Sequence, residues 1–232
     1  MLIVCSVQAL RRVWSARKEA TMPVPKNYAS ESQPCSPWNK GRLVGQKRPL
    51  KPKDVWAIRE RLEIGGNRRD IALFNLAIDS KLRACDLVKL RVNEIQTEGR
   101  LHDRATITQK KTRRPVQFEL SEQTRRAVRE YLESSEGDSR QYLFASRLRA
   151  KPHLSTRQYS RLVHRWVSSA GLESAAYGTH SMRRTKVAQI YRKTGNLRAV
   201  QILLGHTKLE STVRYLGIEV DDALVLSEQT DL

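Results

Sequence analysis

A mainly α-helical domain with one small antiparallel β-sheet is the fold class this sequence predicts, on three observations. Apolar residues recur at three- and four-residue steps along most of the chain from Pro52 to Leu216, glycines stand just past the ends of several of those runs, and residues 105–120 switch to strict alternation.

The elements follow in order. In "KPKDVWAIRERLEIGG", Pro52 suits a first helical turn, Val55, Ile58 and Leu62 share a face, and Gly65 and Gly66 stop the helix. The next stretch, "RRDIALFNLAIDS", is apolar on most sides and predicts a buried helix. "KLRACDLVKLRV" predicts a further helix beginning near Arg83. In "ATITQKKTRRPVQFEL", Ala105 and Ile107, then Val116, Phe118 and Leu120, give two short strands around a cationic turn. Helical spacing returns at Ala127–Leu132, Leu162–Val167, Met182–Tyr191 and Leu197–Leu204; Gly171, Gly195 and Gly205 close the last three. A short helix carrying Leu209, Val213 and Leu216 ends the periodic part. Trp166 is expected in the core and Tyr159 on the surface.

The length of 232 residues suits one domain of about 150 to 200 residues plus a tail. Lys and Arg total 43 against 24 Asp and Glu, a formal charge of +19 that points to a polyanion, with nucleic acid the leading candidate. The cations are concentrated: between Asp138 and Glu210 only Glu173 is acidic, whereas after Tyr215 come Glu219, Asp221, Asp222, Glu228 and Asp231 without a basic residue. The basic half is expected to meet a duplex and the acidic tail to dock on protein. Cys5, Cys35 and Cys85 lack paired spacing, so neither a disulfide framework nor a zinc site is expected, which fits a reducing cytoplasm. The apolar run "MLIVCSVQAL" is about half the length of a membrane span, and its charges follow it, so no anchor or signal peptide is expected. Translation is expected to start naturally at Met22, and the Pro-, Ser- and Gly-rich residues up to about Pro52 read as an irregular basic arm.

Breaking a phosphodiester without a metal needs a nucleophile, cations on the non-bridging oxygens and an acid for the departing oxygen. Carboxylates are nearly absent from the basic half, so two-metal nuclease chemistry is not expected and a side-chain nucleophile is. Four segments then carry a resemblance. "HSMRRT" resembles the HxxR box of the tyrosine recombinases, the phage integrase family, and "LLGHTKLESTVRY" resembles their LGH box followed by the nucleophilic tyrosine. "SKLRACDLVKL" is similar to the box holding their first arginine, and "TITQKKTRRPVQF" to the hairpin that bears their lysine.

The resemblance implies a catalytic domain over residues 51–216, between a basic arm (1–50) and an acidic docking tail (217–232). It implies a set of catalytic residues, Arg83, Lys111, His180, Arg183, His206 and Tyr215, with Tyr215 attacking the scissile phosphate to give a 3′-phosphotyrosine. Lys110 is the alternative to Lys111 as general acid, and Asp86 is expected to brace Arg83 or its neighbours. Lys110, Arg113, Arg114, Arg184 and Lys186 are expected to contact DNA. No cofactor or metal is implied. The expected partners are double-stranded DNA, three further copies of the chain in a tetramer on DNA, and an accessory DNA-bending protein, on the bacterial nucleoid in the cytoplasm. The residues before Pro52 are too few and too irregular for the helical domain that usually precedes the family's catalytic domain. A topoisomerase-like nicking and closing enzyme and a non-catalytic DNA-binding regulator are the competing readings.

Overall fold

The computed structural model describes residues 46–134, 141–146, 151–216 and Glu228. The start assigned to Met22, the arm up to residue 45 and the tail from 217, that one glutamate apart, lie outside the described residues. The chain runs α1 (Pro52–Ile64), α2 (Arg68–Ser80), α3 (Ala84–Leu87), α4 (Val92–Ile95), β1 (Gln96–Thr97), β2 (Arg100–Leu101), β3 (Arg104–Thr108), β4 (Pro115–Glu119), α5 (Glu122–Glu133), α6 (Thr156–Ser169), a 3-10 turn (Ser174–Ala176), α7 (Thr179–Thr194), α8 (Leu197–Leu204) and α9 (Leu209–Leu216). The mainly helical class with small antiparallel sheets is as expected.

Helix α2 is the axis of the core because its sequence offers almost no polar face. Every residue from Ala72 to Ser80 is buried, and α1, α5 and α7 pack around it. Trp166 of α6 meets Phe74 edge-on, with ring centroids 5.6 Å apart, and donates its indole N–H to Asp70 Oδ2 at 3.1 Å, so its one polar atom is satisfied. Tyr159 corrects an expectation: it is buried beside Trp166, centroids 6.3 Å apart. It lies one helical turn before Leu162 and Val163 and shares their inward face.

Two further differences have local causes. Helix α3 stops after four residues, because the backbone just beyond it is used elsewhere: Leu143 N–H donates to Leu90 O (2.8 Å) and Val92 N–H to Gln141 O (3.2 Å). The β1–β2 ribbon was not foreseen. Its turn places Glu98 and Gly99 at φ 50° and 78°, the two left-handed positions that a two-residue hairpin needs, but strands of two residues show no alternation to read.

The β3–β4 hairpin follows its pattern, with Ala105 opposite Phe118 and Ile107 opposite Val116 facing inward. It packs on the end of α8 at Gly205, whose φ of +64° favours glycine. A Cβ there would lie 2.6 Å from Val116 Cγ2, so the close approach of hairpin to helix needs glycine as well.

Helix α7, which carries the HxxR box, is held by charge. Lys186 Nζ lies 2.7 Å from both Asp79 Oδ1 of α2 and Glu119 Oε1 of β4. Lys81, fully buried, donates to Asp79 O and Glu119 Oε2, each at 2.7 Å. Asp79 Oδ2 accepts from Ser121 and Thr124. Although burial opposes it, the two carboxylates raise the pKa of Lys186. Paired and hydrogen-bonded, the half-buried Lys186 ammonium joins three elements as a strut inside the domain, instead of standing free of protein partners as the expected phosphate contact would.

Candidate active site

Four chain segments meet at a cavity of about 330 Å³. Arg83 comes from the N-terminus of α3, Lys111 and Thr112 from the β3–β4 turn, His180 and Arg183 from α7, and Gly205, His206, Thr207, Ser211 and Tyr215 from the end of α8 and from α9. The six side chains expected to carry the chemistry thus line one space, although they span more than 130 positions of sequence.

Tyr215 sits with its ring against His206, centroids 5.4 Å apart and planes at 86°, and with the guanidinium carbons of Arg183 and Arg184 at 5.7 and 5.3 Å from its centroid. Its hydroxyl is buried and has no hydrogen-bond partner among the described residues. Burial pushes the phenol up to about 12 against the opposing pull of Arg183, Arg184 and Arg83, so it is protonated at neutral pH. Arg183 donates from Nη2 to Leu204 O at 2.7 Å and leaves its buried Nε unpartnered. Burial lowers Arg183 to about 10, which still leaves it charged at pH 7. Two buried donors, one on Arg183 and one on Tyr215, therefore lack partners at the same cavity. An oxyanion between the arginines would satisfy such donors, since guanidinium groups fit phosphate oxygens in forked pairs.

His206 Nδ1 lies 3.1 Å from Thr212 Oγ1, which fixes the ring. Burial first, then Arg183 and Arg83, lowers His206 to about 4; loss of water and the cations Arg183, Arg184, Arg83 and Lys111 lower His180 in the same direction. Both imidazoles are neutral at pH 7 and able to accept a proton. A folded value below the ordinary 6.5 means that the unfolded chain binds protons more readily, so stability present above pH 6.5 is lost as pH falls toward about 4. Thermal melting between pH 6.5 and 5, above the carboxylate range, is expected to show this decline in the parent protein and a flatter profile in His206→Gln. An unchanged slope in the variant would assign the decline to other groups.

The structure separates the two adjacent lysines. Lys111 lines the cavity, whereas Lys110 does not, and its backbone N–H is held by Asp86 Oδ1 at 2.9 Å. Asp86 therefore braces the hairpin turn rather than Arg83 itself. Lys110, Lys111, Arg113 and Arg114 are all exposed on that turn, a cationic finger beside the cavity. Arg184 differs from expectation. It is 6 % exposed and donates to Lys47 O and Gln46 Oε1, so its guanidinium faces protein.

Gln109 is the residue that sequence reasoning missed. Fully buried, it accepts at Oε1 from Arg83 Nη1 and from Thr112 Oγ1 (3.0 Å), and donates from Nε2 to Leu204 O at 3.4 Å, the carbonyl that also receives Arg183. One amide thus links the first arginine, the lysine hairpin and the seat of the second arginine. A signal was present: Gln109 continues the inward alternation of Ala105 and Ile107, and a polar residue on an inward register needs partners.

A helical domain that gathers two arginines, a hairpin lysine, two histidines and a tyrosine with a buried hydroxyl around one cavity is of the tyrosine recombinase catalytic class. The chain belongs to the phage integrase family, whose sequence pattern matches residues 48–220. It is 31 % identical over 155 residues to the probable integrase/recombinase YoeC of Bacillus subtilis (strain 168), covering 67 % of this chain and 81 % of that protein. It is 28 % identical over 166 residues to the tyrosine recombinase XerA of Thermococcus kodakarensis, covering 71 % of this chain but 56 % of that one. The chain thus spans little more than half the length of some relatives. The crystal structure of XerH site-specific recombinase bound to palindromic difH substrate, a post-cleavage complex, superimposes with a TM-score of 0.62 at 20 % identity over 80 % of this chain and 53 % of that one, which shows the shared fold.

Proposed function

We propose that this chain cuts and rejoins duplex DNA at specific sites through a covalent tyrosine intermediate, and the observation that carries the reading is the buried, unpartnered Tyr215 hydroxyl in a cavity lined by Arg83, Arg183, Lys111, His180 and His206. The Tyr215 oxygen attacks phosphorus, the bond from phosphorus to the 5′-oxygen breaks, and a 3′-phosphotyrosine and a 5′-hydroxyl result. Arg83 and Arg183 hold the non-bridging oxygens, where charge develops. A neutral histidine receives the phenol proton and Lys111 gives one to the 5′-oxygen. Attack by the 5′-hydroxyl of another strand reverses the step, and the phosphotyrosine retains the bond energy, so ligation needs no external energy source. The test is a nicked duplex that traps the intermediate: the purified chain is expected to become covalently attached to the 3′ side of the break. No adduct on any duplex tried with cognate recombination sites would overturn the reading.

The cationic turn and the basic half support a duplex as the partner. Affinity is expected to fall with a log–log salt slope of about −0.9 per phosphate neutralised, and a flat salt dependence would sink the polyanion reading. In this reading the chain acts on DNA of the bacterial nucleoid, in the cytoplasm. Among the described residues no helix is long and apolar enough to cross a membrane.

The working assembly in this reading is a tetramer on DNA, with an accessory DNA-bending protein aiding its formation. Its tail, residues 217–232, docks on a neighbouring copy. The tail's sequence mixes acids with Ile218, Val220, Leu224, Val225 and Leu226, and a groove of about 740 Å³ between α8 and α9 offers Leu197 and Leu209 with two cations, Arg198 and Lys208, beside one acid, Glu210. Truncation after Gly217 is expected to spare cleavage and impair strand exchange; strand exchange at the parent rate would rule out the docking role.

A further inference from the structure

We infer that Arg184 is a positioning residue that ties the segment leading into the domain, residues 46–50, to the helix that carries Tyr215, so that the seat of the tyrosine depends on that segment. The inference rests on the reading of Tyr215 as nucleophile.

The ties form a closed circuit. Arg184 Nη1 donates to Lys47 O at 2.5 Å and Nη2 to the Gln46 side-chain oxygen, while the guanidinium lies 5.3 Å from the centre of the Tyr215 ring. The Gln46 amide nitrogen in turn donates to the backbone carbonyl of Arg214, the residue before the tyrosine. Residue 46 thus caps that carbonyl of the nucleophile's helix and, through Arg184, supplies a wall to the nucleophile's ring.

Few other contacts fix α9. It has eight described residues, of which Thr212 is the buried one, and among the described residues Tyr215 and Leu216 pack on the small cluster of Val187, Val200 and Leu204, with His206 and the two arginines against the Tyr215 ring. Helix ends with little buried surface open at low free-energy cost, so two added ties weigh heavily there. The segment itself is well fastened: Arg48 N–H donates to Ala176 O at 3.1 Å, Leu50 N–H to Thr185 Oγ1 at 3.1 Å, and the Leu50 side chain is buried. It can therefore act as a lever. Displacement of residues 46–47 releases the cap and the wall together. The hydrogen bonds of Arg184 all go to neutral oxygens, an arrangement that desolvates a cation without pairing it to an acid, and a guanidinium kept there for packing alone would be replaceable.

The experiment uses the full chain. Gln46 is exposed, so Gln46→Ala is expected to fold normally. Single-turnover adduct formation on nicked duplex at saturating protein is expected to slow by about 10-fold in Gln46→Ala and in Arg184→Ala, inside the ~10²-fold that misplacement by about 1 Å can cost. DNA affinity stays unchanged. The double variant is expected to be no slower than the slower single one, because both remove the same circuit. Gln46→Glu keeps the acceptor for Arg184 but loses the donor to Arg214 O, and is expected to fall between parent and Gln46→Ala. In the free protein, amide hydrogen exchange at residues 213–216 should speed up in Gln46→Ala while α2 and α5 stay protected. Losses that multiply in the double variant, or unchanged exchange in α9, overturn the inference. A parent protein that forms no adduct while exchange in α9 responds to Gln46→Ala would overturn the recombinase reading and leave the circuit standing.

Discussion

Tyr215→Phe is expected to bind duplex DNA as tightly as the parent chain and to form no covalent adduct. The ring keeps its edge-on contact with His206 and its contacts with Arg183 and Arg184, so the shape of the site persists. The lost oxygen has no hydrogen-bond partner, so its removal leaves no buried donor or acceptor newly unsatisfied, and stability should barely change. What disappears is the oxygen proposed to attack phosphorus. The measurement is retention of radiolabelled nicked DNA on denatured protein, beside affinity measured by mobility shift. An adduct that survives in Tyr215→Phe would move the nucleophile elsewhere. Tyr191 packs in the same small cluster and would be examined first.

Lys111→Ala is expected to slow cleavage by roughly 10²- to 10⁴-fold, the usual loss when a positioned proton donor is removed. The defect has a specific cure. A duplex whose 5′-bridging oxygen is replaced by sulfur has a leaving group that departs without a proton, so it should restore cleavage by Lys111→Ala. It should not restore Arg83→Ala, whose lost contact is to the non-bridging oxygens. Lys110→Ala should lose affinity rather than rate, because its side chain lies outside the cavity and the link of that residue to the site runs through its backbone N–H and Asp86. Rescue of Lys110→Ala by sulfur would shift the acid by one residue. Rescue of neither would direct attention to His180, which shares the cavity.

The candidate site was legible because its parts come in short boxes with fixed spacing. Within a box, helical geometry does the placing: His180 and Arg183 are three apart on α7 and must share a face. Tyr215 stands nine residues after His206, which itself follows directly on Gly205, the glycine that ends α8 at positive φ and opens the way to α9. Period likewise announced the β3–β4 hairpin, and with it the turn that carries Lys111. The contacts that Arg184 and Lys186 make within the protein were not legible, because both look like any other cations in a basic run. Charge in sequence does not say whether an acid from another element lies opposite. Asp79 and Glu119, which capture Lys186, are more than 60 positions away along the chain.

By itself, then, the sequence determined the mainly helical class and the hairpin, which depend on neighbours within a few turns of chain, while the resemblance of its four boxes pointed to the family and to the residues gathered at the cavity. Tertiary structure alone decided that Lys111 and not Lys110 faces the cavity, that Gln109 joins both arginines to the hairpin, that Lys186 is a strut, and that residues 46–47 reach the Tyr215 ring through Arg184. The physical reason is that local periodicity sets which way a side chain points from its own element, whereas its partner is set by how distant elements pack, and a cation takes whichever acceptor that packing brings to it.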